Sequence, residues 1–195
     1  MRNATIKRKT KETDISIELD LDGNGEYSID SGCPFLNHML ELLTAHSCFD
    51  INLKCTGDVE VDYHHSVEDI GISLGEALHR ALGNKQGIKR YGTTIIPMDE
   101  SLVLVCLDIS GRCFLDYDVS FNGTKVGELD VELIEEFLYG LTRSAGITLH
   151  VRKLTGKNSH HIIEAIFKAL ARSLREATSI DAKLEGKIPS TKGVL

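Results

Sequence analysis

One short pattern occurs twice in this chain of 195 residues. His64, His65 and Glu68 form one His-His-x-x-Glu run, and His160, His161 and Glu164 form the other. Each run leads into apolar residues at helical spacing, which are Ile70, Leu74 and Leu78 in the first copy and Ile166, Leu170 and Leu174 in the second. Two such runs with matching flanks predict a duplicated unit in which a histidine pair and a glutamate open an amphipathic helix.

Composition limits the classes of protein to which the chain can belong. The net charge of −7 argues against a nucleic-acid binder, which would carry a basic excess. The sequence contains no run of about 18 apolar residues, and residues 1–7 lack the apolar core of a signal peptide, so we expect a cytoplasmic protein with no membrane partner. The five cysteines have no CxxC spacing and are predicted to be reduced thiols.

The duplication extends to the predicted elements. Residues 12–23 and 100–111 alternate between apolar and polar, which predicts two strands. Each strand is followed by a helix, a short strand and the histidine-run helix. In the first half these three elements cover Pro34 to about His46, 51–55 and about 65–82. In the second half they cover about Asp130 to Ala145, 147–151 and about 160–177. We interpret each half as strand, strand, helix, strand, helix, one strand more than these bounds specify. This order predicts an α+β fold, a duplicated half-domain of antiparallel sheet and packed helices.

The chain is long enough for one domain with a substantial core, so we expect residues 1–195 to form a single domain. The repeats are placed at about 1–83 and 99–180. A linker covers 84–98, and 181–195 is a polar tail that is too poor in apolar residues to fold alone.

The histidine runs have the donor chemistry of a metal site. Residues three apart share a helix face, which pairs His65 with Glu68 and His161 with Glu164. Neighbouring residues point about 100° apart, so each histidine pair is expected to address two different ions. Imidazole and carboxylate donors suit Mn, Fe, Zn or Ni better than Ca or Mg. The alternative is that these histidines cap or pack two helix starts.

Aligning the first helix of each half places His38 opposite Glu136, and both side chains can bind metal. His46 lies two turns beyond His38, where it could contact a substrate or be a helix-end histidine favoured by the dipole. Further cations and hydroxyls suggest a phosphate site, namely Arg90, Arg112, Lys168 and the tail residues Ser190, Thr191 and Lys192. Taken singly, each of these could equally be a solvated surface group. These residues alone imply no particular reaction.

Five segments together resemble the imidazoleglycerol-phosphate dehydratase family of histidine biosynthesis. They are residues 35–40, 62–69, 110–112, 157–164 and 189–195, and they span nearly the whole chain in order. The resemblance implies a fold like the second domain of ribosomal protein S5. It also implies a homo-oligomer of octahedral symmetry, a 24-mer, with two Mn²⁺ ions per active site held between subunits. Asn37, Tyr63 and Cys113 depart from residues common in the family, which affects the surroundings of the site.

The resemblance also implies roles for particular residues. The implied metal ligands are His38, His64, His65, Glu68, His160, His161 and Glu164. Some members carry a histidine ligand at the position of Glu136, so its metal role here depends on the repeat alignment. The implied catalytic residues are Glu12, His65, Glu68, His161 and Glu164. The implied substrate contacts are Glu12, His38, His46, His64, Arg90, Arg112, His160, Lys168, Ser190, Thr191 and Lys192.

In this family D-erythro-imidazole-glycerol phosphate loses water to give imidazole-acetol phosphate. The proton that leaves is barely acidic, and metal binding of the ring as imidazolate helps to expel the neighbouring hydroxyl. A carboxylate must then move protons, and Glu12 is the candidate, with its repeat mate Glu100 as an internal comparison. Two alternatives are a two-metal hydrolase of phosphate esters and a non-enzymatic oligomer in which the ions only join subunits.

Overall fold

The two halves of the chain fold into sheets of the same topology, in a computed structural model that describes residues 2–195. The first sheet contains β1 (Asn3–Lys9), β2 (Thr13–Asp20), β3 (Tyr27–Asp30) and β4 (Asp50–Gly57) in the order β1-β2-β4-β3. The second contains β5 (Tyr91–Met98), β6 (Ser101–Asp108), β7 (Phe114–Asp118) and β10 (Thr148–Thr155) in the equivalent order β5-β6-β10-β7. A small hairpin of β8 (Lys125–Val126) and β9 (Leu129–Asp130) lies between β7 and the next helix.

Four helices complete the two halves, and their bounds are α1 (Pro34–Ser47), α2 (His64–Leu82), α3 (Leu133–Ala145) and α4 (Ser159–Thr178). A short 3-10 turn, Ala182–Leu184, follows in the tail. Pro34 occupies the first turn of α1, where its missing N–H costs no hydrogen bond. Gly146 ends α3 in the left-handed conformation, with φ of 66°, and its N–H donates to the Thr142 carbonyl at 3.1 Å. The α+β class and the duplication are therefore confirmed.

The helices of the two halves are interlocked. α2 packs on β1 and β2 and α4 packs on β5 and β6, but α3 of the second half packs along α2 and α1 of the first half packs along α4. A Cβ added to Gly71 would overlap the Phe137 carbonyl oxygen, and one added to Gly75 would overlap the Leu141 carbonyl oxygen. These glycines allow α2 and α3 to run side by side in the same direction with their backbones in contact.

The buried apolar residues of both halves form one continuous core. The rings of Phe137 on α3 and Phe167 on α4 lie 5.3 Å apart, and both side chains are fully buried. Within residues 2–195 no helix is long and apolar enough to cross a bilayer.

Three details of the predicted elements are wrong. Each sheet contains a parallel pair, because β3 runs parallel to β4 and β7 runs parallel to β10. Residues 91–98, expected in the linker, form β5, an edge strand in which Pro97 is tolerated. Finally, α3 begins at Leu133 and not near Asp130, because Asp130 pairs with Lys125 in the small hairpin.

Candidate metal and anion sites

The two histidine runs open helices in the same way. The side chain of Asn158 accepts a hydrogen bond from the backbone N–H of His160 at 2.9 Å, at the start of α4. At the start of α2, the Asp62 carboxylate accepts from the backbone N–H of His64 at 2.7 Å. A short polar side chain two residues before the first histidine satisfies a free N–H in each copy. The backbone of the first histidine of each pair is thereby held at a helix start.

A cluster of metal-binding groups forms where α1 meets α4. His38 Nε2 lies 2.9 Å from Glu164 Oε1, and His160 Nε2 lies 3.8 Å from the same oxygen. One ligand atom from each of the three residues lies within 4.8 Å of the others. The two imidazoles are 44% exposed, whereas the Glu164 side chain is only 8% exposed. Two nitrogen donors and one oxygen donor at this spacing can hold a transition-metal ion.

Glu164 is also held by Lys168, one turn further along α4. The Lys168 ammonium lies 3.1 Å from Glu164 Oε2. Burial raises the pKa of Glu164, but the hydrogen bonds from His38 and Lys168 outweigh it and lower that pKa below its usual range. The carboxylate is therefore ionised and ready to bind a cation at neutral pH.

The repeat produces a related set of groups where α2 meets α3. His64 Nε2 lies 3.9 Å from Glu68 Oε2, matching the spacing of His160 and Glu164. Gly140 of α3 packs against Glu68, since a Cβ there would lie 2.9 Å from the Glu68 carbonyl oxygen. Glu136, one helical turn before Gly140, occupies the position that corresponds to His38 in the other half.

The second histidine of each pair points toward acidic residues at strand ends. His65 Nδ1 lies 2.9 Å from Asp58 Oδ2, and His161 Nδ1 lies 2.7 Å from Glu100 Oε2. These hydrogen bonds raise the pKa of both imidazoles, and the His161 contact is the largest cause that lowers the pKa of Glu100. A metal-binding histidine commonly donates its other ring N–H to a carboxylate, so this arrangement leaves Nε2 of each ring for an ion.

The two histidines of each pair have different acidic neighbours, and these neighbours differ from the predicted His65–Glu68 and His161–Glu164 pairs. The planes of the His64 and His65 rings lie at 82° to each other, with the ring centroids 6.1 Å apart. However, Glu68 lies within ion-pair distance of His64, four residues before it, and not of His65. The same holds for Glu164 with His160 in place of His161. The glutamates lie near His64 and His160, four residues earlier, because the second histidine of each pair is hydrogen-bonded to Asp58 or Glu100 instead.

Glu12 and its repeat mate Glu100 have different surroundings. The Glu100 carboxylate accepts hydrogen bonds from the backbone N–H groups of Lys157 and Asn158, at 3.1 and 2.8 Å, in addition to His161. The Glu12 side chain is 54% exposed, and its Oε1 lies 4.0 Å from His65 Nε2. Three hydrogen bonds thus hold the Glu100 carboxylate in place although its side chain is 42% exposed, whereas the Glu12 carboxylate is less constrained.

The cationic residues gather around the tail. Arg90 donates from Nε and Nη2 to the Asp108 carboxylate at 2.7 and 3.1 Å, and from Nη1 to the Pro189 carbonyl at 2.8 Å. Gly111 packs against Leu195, because a Cβ on Gly111 would lie 2.7 Å from the Leu195 carbonyl carbon. This brings Arg112 to the tail segment that carries Ser190, Thr191 and Lys192, a segment with a turn in which the Lys192 N–H donates to Ser190 Oγ.

The His38–His160–Glu164 cluster and the Arg90–tail cluster lie at opposite ends of α4. His38, His160 and Glu164 surround its first turns, whereas the Arg90 N–H donates to the Ala177 carbonyl in its last turn. Thirteen residues separate Glu164 from Ala177, which is about 20 Å along a helix. Lys168 lies between them, near His46, whose pKa is lowered by burial and by the charges of Lys168 and Arg172. A single chain does not bring all of the predicted residues to one place.

The sequence reasoning missed the acidic residues that orient the site. Asp58 follows β4 and Asp99 precedes β6, where Asp99 Oδ2 lies 3.6 Å from His161 Nε2. Asp69 on α2 is buried and accepts hydrogen bonds from Arg8 and from Thr13 Oγ1. Their positions in the sequence could have indicated them. Asp58 and Asp99 directly follow strands, and Asp69 directly follows the predicted ligand Glu68.

Comparison with known proteins agrees with this fold and donor set. The family model of imidazoleglycerol-phosphate dehydratase matches residues 31–174. The chain is 57% identical over 188 residues to the imidazoleglycerol-phosphate dehydratase of Clostridium novyi, covering 96% of this chain and 95% of that one. It is 54% identical over 195 residues to that of Rhodopseudomonas palustris, covering 100% and 99%.

Solved structures give the same result. The crystal structure of imidazoleglycerol-phosphate dehydratase from Staphylococcus aureus superposes with a TM-score of 0.84 at 40% identity, covering 92% of this chain and 99% of that one. The enzyme from Pyrococcus furiosus, solved in complex with (S)-C348, superposes with a TM-score of 0.84 at 39% identity, covering 97% and 100%.

The duplicated α+β fold, the imidazole and carboxylate clusters and these matches define an enzyme of the lyase class, one that removes water from its substrate. The chain belongs to the imidazoleglycerol-phosphate dehydratase family and has the activity of that family in histidine biosynthesis.

Proposed function

We propose that this chain converts D-erythro-imidazole-glycerol phosphate to imidazole-acetol phosphate at a site that holds two Mn²⁺ ions between subunits of a 24-subunit homo-oligomer. The observation that carries the proposal is the convergence of His38, His160 and Glu164 from both halves of the chain. A location in the reducing cytosol fits the proposal as well, because all five cysteines are free thiols. We place the reaction in the cytoplasm.

The donor chemistry supports manganese. Imidazole nitrogens and carboxylate oxygens occur together, and thiolates are absent from the clusters within residues 2–195. His38, His160 and Glu164 would hold one ion, and Glu136, His64 and Glu68 would hold the other. His65 and His161 would each add an Nε2 donor. The bound ions supply a Lewis acid and a template at the imidazole ring of the substrate, which favours its imidazolate form.

The position of the anion-binding residues supports an active site between subunits. Glu164 and the Arg90–tail cluster lie about 20 Å apart along α4 by helical rise. Only three carbons separate the imidazole ring of the substrate from its phosphate oxygen, so one substrate cannot reach both groups in a single chain. A neighbouring subunit would bring its tail, with Ser190, Thr191 and Lys192, to the metal-binding groups.

The chain itself supplies binding and proton transfer. Arg90, Arg112, Lys168 and Lys192 would neutralise the phosphate, with Ser190 as a hydroxyl donor and His46 beside Lys168. Glu12 would move the proton, because its carboxylate is accessible and lies beside His65. Asp58 and Glu100 would keep His65 and His161 in the tautomer that presents Nε2.

Incubation of the manganese-loaded oligomer with imidazoleglycerol phosphate tests the proposal. Dehydration yields a ketone, whereas the hydrolase alternative yields inorganic phosphate. Glu12→Gln should reduce kcat by about 10²- to 10⁴-fold, the range for losing a general acid–base group. Glu18→Gln, an exposed glutamate on the adjoining strand, should leave kcat within about twofold.

Both variants should keep their manganese content and particle mass, since neither residue is a proposed ligand. Full turnover by Glu12→Gln would reject that residue as the proton carrier. A particle mass equal to one subunit, with full activity, would reject the site between subunits.

A further inference from the structure

The two sets of metal-binding groups differ in their donor atoms. Where α1 meets α4, His38, His160 and Glu164 offer two imidazoles and one carboxylate. Where α2 meets α3, the repeat-related residues are Glu136, His64 and Glu68. This second set offers one imidazole and two carboxylates. The duplication has therefore produced two sites with different chemistry, a nitrogen-rich set and an oxygen-rich set.

The two sets also differ in charge. In the nitrogen-rich set the Lys168 ammonium lies 3.1 Å from Glu164, so the positive and negative charges cancel when the imidazoles are neutral. Four residues after Glu68, the position equivalent to Lys168 is occupied by Ile72, which has no charge. The oxygen-rich set keeps the full negative charge of Glu68 and Glu136. Two carboxylates near a dication attract it strongly at the low effective dielectric of a protein site.

Helix packing places Glu136 with the oxygen-rich set. α2 and α3 run side by side in the same direction, and Gly140 lies against the backbone of Glu68. Glu136 is one turn before Gly140 on the same face, at the level of the first turn of α2 where His64 begins the helix. Its residue is partly buried, as expected beside a neighbouring helix.

We infer that the two metal positions of this enzyme have different metal preferences. The nitrogen-rich set prefers a borderline ion such as Zn²⁺ over Mn²⁺ more strongly than the oxygen-rich set does, because imidazole suits Zn²⁺ and carboxylate suits Mn²⁺ and Mg²⁺. This inference depends on the proposed function, in which both sets hold an ion. One of the two Mn²⁺ ions is thus selectively replaceable.

Metal exchange in the intact oligomer tests the inference without reference to activity. Zn²⁺ is titrated into the protein loaded with two Mn²⁺ per chain, and released Mn²⁺ is followed by electron paramagnetic resonance. Elemental analysis after gel filtration gives the metals that remain bound. We expect two steps of one Mn²⁺ per chain each, separated by at least tenfold in the Zn²⁺ to Mn²⁺ ratio required.

Two variants assign the steps. Glu136→His makes both sets nitrogen-rich, so the second step should move to within about threefold of the first. Glu135→His places the same substitution on the exposed side of α3 and should leave the two steps separated. The reciprocal His38→Glu change should move the first step toward the second.

A single exchange step in the unsubstituted protein would overturn the inference, as would an unchanged second step in Glu136→His. The titration of the unsubstituted protein decides the matter even if a variant does not fold. Failure to load two Mn²⁺ per chain is a different result, because it would overturn the two-manganese site of the proposed function itself.

Discussion

Removing the buried carboxylate of Asp69 should destabilise the fold by about 3 kcal/mol. Asp69 Oδ1 accepts two hydrogen bonds from the Arg8 guanidinium, at 3.0 and 2.8 Å, and Oδ2 accepts one from Thr13 Oγ1 at 2.6 Å. A hydrogen bond to a charged group contributes about 1.5–3 kcal/mol, and breaking a buried ion pair costs about 3–5 kcal/mol. The lower end applies to Asp69→Ala, because Arg8 is 36% exposed and can regain water.

The loss should be measured by urea unfolding at a fixed subunit concentration, since the stability of an oligomer depends on concentration. Asp14→Ala is the matched control, because its ion pair with Lys9 on the same sheet is exposed and should contribute less than about 1 kcal/mol. A double-mutant cycle with Arg8→Met isolates the pair, and we expect a coupling of at least about 1 kcal/mol. A coupling near zero, or equal losses in Asp69→Ala and Asp14→Ala, would refute the reasoning.

Three further results are expected. Asp50 is partly desolvated, which raises its pKa, but backbone N–H groups of residues 24–26 donate to it and lower that pKa below the ordinary value of about 3.9. The stability that its charge contributes should be full above that ordinary value and lost as pH falls through the lower folded pKa. The difference in unfolding free energy between the natural chain and Asp50→Asn should thus shrink in acid, and a constant difference would contradict this.

Gly71→Ala should lower the melting temperature despite the better helix propensity of alanine, because the added methyl group meets the Phe137 carbonyl oxygen. Such overpacking costs about 1–3 kcal/mol. A raised melting temperature would argue against the close contact between α2 and α3. Chelation should abolish dehydration and Mn²⁺ should restore it, measured as ketone formation, whereas turnover by protein shown to be metal-free would exclude a metal mechanism.

The helices could be predicted because their signals are local. Apolar spacing, Pro34 at one start and Gly146 at one end are all read within a few residues of the element they define. β3 and β7 could not be predicted, because they are short, contain no fully buried residue and lack alternation. Each becomes a strand only by pairing in parallel with a strand that follows a whole helix later in the chain.

The site shows the same division. The repeated histidine runs predicted that neighbouring rings diverge, because that follows from helical geometry alone. The partners of His65 could not be predicted from it, since Asp58 reaches this ring through the register of β2 and β4, in which Thr13 lies opposite Gly57. The separation of the His38–His160–Glu164 cluster from the Arg90–tail cluster along α4 depends on the whole fold.

The exchange of helices between the halves has a consequence for how such a chain could arise. A half-length polypeptide carries one helix of each pair, so it completes neither donor set until a second copy binds it. Two identical halves would then build two identical sites, related by twofold symmetry. Fusion into one polypeptide lets the two halves differ in sequence. Glu136 at the repeat position of His38 is such a difference, which two identical halves could not have.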